Sequence, residues 1–193
     1  MRFLPSILLS LIILGSPAFA CDKFLTIDPQ QQKEDFAVLQ LETADQIDRI
    51  TAFNTLICSD QVAVRRKALQ DGLSATPEIR SEVIFRALAG SMTINIRLLD
   101  SGGLSDAHYD YIRSNPFVSH EVKSADAARS CVSLYHNDRC DGGYAFSVRG
   151  DQVDYRYNDN MGSFRLTDGK LSGEVSLEVG RERLTFPAEI ILF

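Results

Sequence analysis

Three histidines and four cysteines are the side chains of this 193-residue chain that invite a search for chemistry. His108 stands in Asp106-Ala107-His108-Tyr109-Asp110. An imidazole between carboxylates can move protons, but an acid–base group needs its partner within hydrogen-bond reach. On a helix Asp106 and Asp110 share a face while His108 points elsewhere. General acid–base work by His108 would therefore require a loop, and an ordinary exposed histidine is the expectation. His120 and His136 have no metal-ligand spacing to each other. The cysteines lack the paired spacing of zinc sites, and the absence of Cys-x-x-Cys argues against dithiol redox chemistry. Gly-x-Ser-x-Gly, a phosphate-cradling glycine loop and His-Glu-x-x-His are all missing. No catalytic residue, metal or cofactor is assigned, and the balance leans away from an enzyme.

Disulfide formation is the chemistry the cysteines do suit. Cys21, Cys58, Cys131 and Cys140 are an even set, as an oxidising compartment favours. Of three possible pairings, Cys131 with Cys140 and Cys21 with Cys58 are preferred. The first flanks a turn-rich segment, and closing so short a loop contributes about 2–3 kcal/mol. The second ties the start of the mature chain to a helix end. Within the first, Tyr135-His136-Asn137-Asp138-Arg139 is a polar loop and the candidate partner contact. Asn137, Asp138, Asp141 and Gly142 share the composition of a calcium loop, as do Asn158, Asp159, Asn160 and Gly162. Calcium loops place oxygen ligands at alternate positions and close with a bidentate Glu. Arg139 and Cys140 interrupt the first set and Met161 the second, so turns are expected instead. Arg149-Gly150-Asp151 spells an integrin-type tripeptide, which a hairpin turn explains.

Residues 1–20 read as a secretory signal peptide. Arg2 precedes an apolar run from Leu4 to Leu14, Gly15-Ser16-Pro17 breaks it, and Ala18-Phe19-Ala20 offers small residues for cleavage. The run is shorter than the roughly 20 residues a spanning helix needs. Cys21 after the cleavage point also admits a lipoprotein, but Ala18 and Phe19 depart from that pattern. Formal net charge is −6, and the leader carries one Arg and no acid, so the remainder is more acidic still. An acidic chain without a basic stripe is a poor partner for nucleic acid.

The elements that must position these residues change period midway. Asp28-Pro29 opens a helix. Thr43-Ala44-Asp45-Gln46 matches a capping box, followed by a stripe of Ile47, Ile50, Phe53 and Ile57. Ser59 caps a third helix carrying Val62, Leu69 and Leu73, with Gly72 near its end, and Thr76-Pro77 opens a fourth through Leu88. The stretch from Ser59 to Leu88 resembles a HEAT-type helical hairpin, but two helices are not an array, and no function is carried over. From Tyr144 onward apolar residues alternate. Gly150-Asp151 and Asp168-Gly169 supply hairpin turns, and Pro187 suggests an edge or a bulge for the last strand. Between these halves, Ile94, Ile96 and Leu98 suggest a strand and Ser105 to Ile112 a short helix.

The fold expected is α+β: an N-terminal short-helix bundle (21–90) and a mixed connecting region (91–130), packed with a C-terminal antiparallel β-meander of about five strands (131–193) as one compact unit. The function expected is an exported, periplasmic, disulfide-containing protein-interaction module of the cell envelope: a chaperone, an inhibitor or immunity-type partner, or an accessory subunit. A dispersed-site hydrolase and a small-ligand or metal binder are the alternatives. Oligomeric state is not assigned.

Overall fold

A computed structural model describes residues 21, 23–136, 140 and 143–192. The expected leader and Asn137, Asp138 and Arg139 of the expected contact loop lie outside them, as do Asp141 and Gly142.

Four helices come first: α1 (Pro29–Gln40), α2 (Gln46–Ile57), α3 (Val62–Leu73) and α4 (Pro77–Ala89). Asp28 caps α1 by accepting from the N–H groups of Gln30 and Gln31. The cap of α2 is Asp45, which accepts from the N–H of Ile47, and not Thr43. This correction moves the helix start two residues on. The buried stripe moves too: Arg49, Ala52, Phe53 and Leu56 face inward, and Ile47 is exposed. Gly72 lies near the helix end, as expected, one residue before the last of α3. It is buried there, where a Cβ would come within 2.4 Å of Val83 Cγ2 on α4. Its hydrogen is what lets α3 and α4 approach. Each helix packs on the next, and α4 also packs on the sheet. Accordingly α4 is buried nearly all round, through Ile79, Val83, Ile84, Phe85, Ala87 and Leu88, as a helix apolar on most of its faces must be.

The sheet is larger than the alternation from Tyr144 onward suggests. After β1 (Thr93–Leu98) comes α5 (Asp106–Ser114), then β2 (Phe117–Glu121), β3 (Ser124–Asp126) and β4 (Cys131–Ser133). The meander itself is β5 (Tyr144–Arg149), β6 (Gln152–Tyr157), β7 (Asn160–Thr167), β8 (Lys170–Val179) and β9 (Glu182–Ile191). All nine form one antiparallel sheet in the order β2-β1-β9-β8-β7-β6-β5-β4-β3. The expected meander of about five strands leaves out β1, which the alternation of Ile94, Ile96 and Leu98 places in the connecting region, and β2 to β4, which are too short or too polar to show a clear period.

The outermost strands, β2 and β3, are consecutive in the chain, with only Val122 and Lys123 between them. The Val122 N–H still donates to Met92 O on the β1 side (3.0 Å), and the Lys123 N–H donates to Ser133 O on the β4 side (2.9 Å). One bent strand thus joins the two edges, and the sheet curls nearly closed. Such closure leaves little open edge for stray pairing. Crowding on the concave face is relieved by glycine at two positions. Gly162 sits opposite Tyr155 and Val175, and Gly173 sits opposite Phe164 and Ala188.

Pro187 does not lie at an edge: β9 runs between β8 and β1. The ring is tolerated because β1 ends at Leu98, paired with Ala188. Past that point Pro187 O still accepts from the Leu99 N–H (2.8 Å), so the missing proline N–H forfeits only the last rung of that ladder. One continuous cluster of buried apolar side chains runs from Leu39 and Phe53 in the helices to Phe164 and Phe186 in the sheet.

Two disulfides are present, Cys21–Cys58 and Cys131–Cys140.

Candidate functional site

Curling the sheet brings β2 across to β6, which lies five strands away in the order. His120 of β2 lies in register with Ile94, on the buried face. Its Nε2 is 2.7 Å from Tyr155 Oη, a hydrogen bond whose direction follows the imidazole tautomer. The ring also stacks on Tyr157 (4.4 Å between centroids). From there aromatic contacts continue outward: Tyr157 meets Tyr144 edge-on (5.2 Å), and Tyr144 faces Tyr135 (5.2 Å). Inward, Tyr155 packs on Phe146 (5.1 Å). Tyr135 is 56% exposed, Tyr144 and Tyr157 are half-buried, and Tyr155 is buried. The result is a ladder of rings running from solvent to core.

Its outer rung is held by the backbone. The Ser133 hydroxyl accepts from the Tyr135 N–H (3.4 Å) and donates to Tyr135 O (3.1 Å). The Cys131–Cys140 disulfide closes the same segment. The phenol of Tyr144 donates to Asn158 Oδ1 in the β6–β7 turn. Of the expected contact loop, Tyr135 and His136 are both exposed, and only Tyr135 joins the ladder.

Burial sets the protonation of the inner pair. Desolvation lowers the His120 pKa to about 4, so the imidazole is neutral at pH 7. The Tyr155 hydroxyl is pushed above the usual phenol range, first by burial and then by the hydroxyls of Tyr157 and Tyr111. A neutral imidazole on a neutral phenol, with no carboxylate hydrogen-bonded to it among the described residues, orients rings. It lacks the orienting acid of a nucleophile-activating triad. The pH consequence follows from linkage. The unfolded chain takes up a proton at His120 near pH 6.5, and the folded chain only near pH 4. Stability is therefore constant above about pH 6.5 and falls as pH drops from there toward 4. The full shift corresponds to at most about 3 kcal/mol, and the ring's solvent-facing edge reduces this to about 1–2 kcal/mol. Urea unfolding at about pH 7 and about pH 5 should show that loss, and His120→Phe should flatten it.

His108 stands apart from this pair. It lies on α5 with Nδ1 2.8 Å from Ser105 Oγ, and its ring packs half-buried on Phe186 (5.0 Å). Where an ordinary exposed histidine is expected, the structure shows a half-buried one. Ser105 therefore makes no side-chain capping bond to the backbone of α5. His120 carried no assigned role in the sequence. The signal that could have found it is the alternation of Val118, His120 and Val122, which puts the imidazole on the apolar side of a strand.

The opposite face of the sheet carries a shallow polar groove of about 790 Å³, lined by Arg129, Arg149, Asp154, Arg156, Met161 and Glu174 among others. Arg149 is ion-paired to Asp154. Among the described residues, no group of three or more His, Cys, Asp or Glu side chains could hold a metal ion.

No family model, no curated protein and no solved structure matches the chain.

Proposed function

We propose that this chain is an exported protein-binding module of a Gram-negative cell envelope, which holds a protein partner on the aromatic edge formed by Tyr135, Tyr144 and Tyr157. The observation that carries the reading is the ladder itself: an exposed ring whose neighbours are fixed from behind. Tyrosine presents a large amphipathic surface with few torsions to freeze, and Tyr is enriched among the residues that dominate binding energy. A preorganised edge loses less entropy on association than a free loop.

Export to the periplasm fits the two disulfides and the leader-like start of the sequence. Among the described residues no helix is long and apolar enough to cross a membrane. The Cys21 sulfur is joined to Cys58, which leaves no thiol to carry a lipid and favours simple secretion. The test is capture of partners by the tagged chain, cross-linked in its own periplasm and read by mass spectrometry. One stoichiometric partner is expected, with its yield down at least about tenfold for Tyr135→Ala. Enrichment of nothing beyond an unrelated exported control would overturn the reading.

A further inference from the structure

A second feature, independent of the aromatic edge, lies in the helical layer. Among the described residues four buried side-chain polar atoms have no hydrogen-bond partner: Asp35 Oδ2, Arg49 Nε, Thr76 Oγ1 and Arg80 Nε. Three of these four residues line one cleft of about 650 Å³, where the start of α2 faces the α3–α4 turn. Arg49 is only 9% exposed. A buried guanidinium without a counter-ion is costly, and the half-exposed Arg80, whose Nε is buried and unpartnered, brings a second one to the same cleft.

The acids at the cleft do not supply that counter-ion. Asp71 Oδ2 already accepts from Gln40 Nε2 (3.0 Å) and Lys67 Nζ (2.7 Å), and Glu42 is exposed. Asp35, the other buried charge, leaves Oδ2 unpartnered and ion-pairs with neither arginine. Each arginine is the fourth residue of its helix, in a first turn whose dipole favours anions over cations. Thr76, the N-cap of α4, makes no side-chain capping bond, so the first-turn N–H groups of α4 are not capped from that side.

We infer that this cleft binds the doubly charged oxyanion of a small ligand, a phosphate dianion or a dicarboxylate. Arg49 and Arg80 provide charged donors, and the Thr76 hydroxyl and the α4 N-terminus neutral ones. Guanidinium forks match both oxyanion types in pairs of parallel bonds. In the ligand-free protein the uncompensated cations are the cost of the site.

The test uses the oxidised, folded chain with inorganic phosphate and with succinate, against chloride at equal ionic strength. At about 100 times Kd the midpoint of thermal unfolding is expected to rise by about 5–10 °C. A rise with phosphate alone identifies a phosphate ligand, and one with succinate alone a dicarboxylate. Arg49→Met should raise the midpoint of the ligand-free protein, by removing an unpaired buried charge, and weaken binding at least about tenfold. Arg80→Gln, at a half-exposed position, should keep the fold and weaken binding similarly. The inference is overturned if neither anion acts more strongly than chloride. It is equally overturned if Arg49→Met lowers the ligand-free midpoint, as an arginine serving only an internal partner such as Asp35 would.

Discussion

Gly173→Ala should destabilise this protein by at least about 3 kcal/mol, and Gly173→Val should prevent folding. A Cβ built at Gly173 stands 2.0 Å from Ser163 O, 2.8 Å from Phe164 Cα and 2.9 Å from Ser163 C. These are backbone atoms of the neighbouring strand, and no rotamer change moves them aside. Relief requires β7 and β8 to separate, which breaks the ladder between them. Sheets that curl use glycine at such positions because the concave face crowds Cβ atoms. Gly102 is the control. It has nothing within 4 Å and no positive φ, so Gly102→Ala should stay within about 0.5 kcal/mol of the parent. Denaturant unfolding of the three variants measures this directly. Wild-type stability in Gly173→Ala would mean that the strands do not approach as described.

Reduction should unfold the protein or nearly so. Loop-closure entropy assigns about 3.8 kcal/mol to Cys21–Cys58, whose cysteines are 37 residues apart. The same relation gives about 2.6 kcal/mol for Cys131–Cys140, separated by 9. Together they equal a large part of the 5–15 kcal/mol that holds a typical domain folded. The first bond also anchors a short parallel bridge: Leu25 N–H donates to Cys58 O (2.7 Å), Asp60 N–H donates to Leu25 O (2.8 Å), and the Thr26 hydroxyl reaches Asp60 Oδ2 (2.6 Å). Paired serine substitutions separate the two terms. Cys21→Ser with Cys58→Ser is expected to cost more than Cys131→Ser with Cys140→Ser. The reverse order would show that the short loop carries strain or partner contacts rather than chain entropy.

Which parts of this arrangement were legible in the sequence follows from the range of each signal. The meander strands from Tyr144 to Leu192 were readable because alternation and turn chemistry act locally. Gly150, Asp168 and Gly169 all adopt the positive φ that their turns require. The start of α1 was readable for the same reason, since Asp28 caps within three residues. Closure of the sheet was not, because it depends on a short bent strand, Phe117–Asp126, whose exposed positions alternate with half-buried ones. Gly162 reads as a turn residue beside Asn158, Asp159 and Asn160 but lies in β7, Gly173 carries no local signal, and only the tertiary approach of β7 and β8 explains them. At the site, Tyr135 and His136 were singled out from the turn composition between two cysteines. His120 escaped notice because its partners, Tyr155 and Tyr157, lie over thirty residues away. The Arg49–Arg80 cleft was equally hidden: an arginine in an amphipathic helix reads as solvated until its neighbours are known.

The most direct test of the aromatic edge as the contact surface is position-specific photo-cross-linking in the periplasm. A photoreactive side chain replaces Tyr135 in one strain and Met161, which lines the polar groove on the other face, in a second. Cross-linking of one partner from position 135 and none from position 161 is the predicted result. Adducts from position 161 alone, or from both positions alike, would contradict the assignment of this edge as the binding surface.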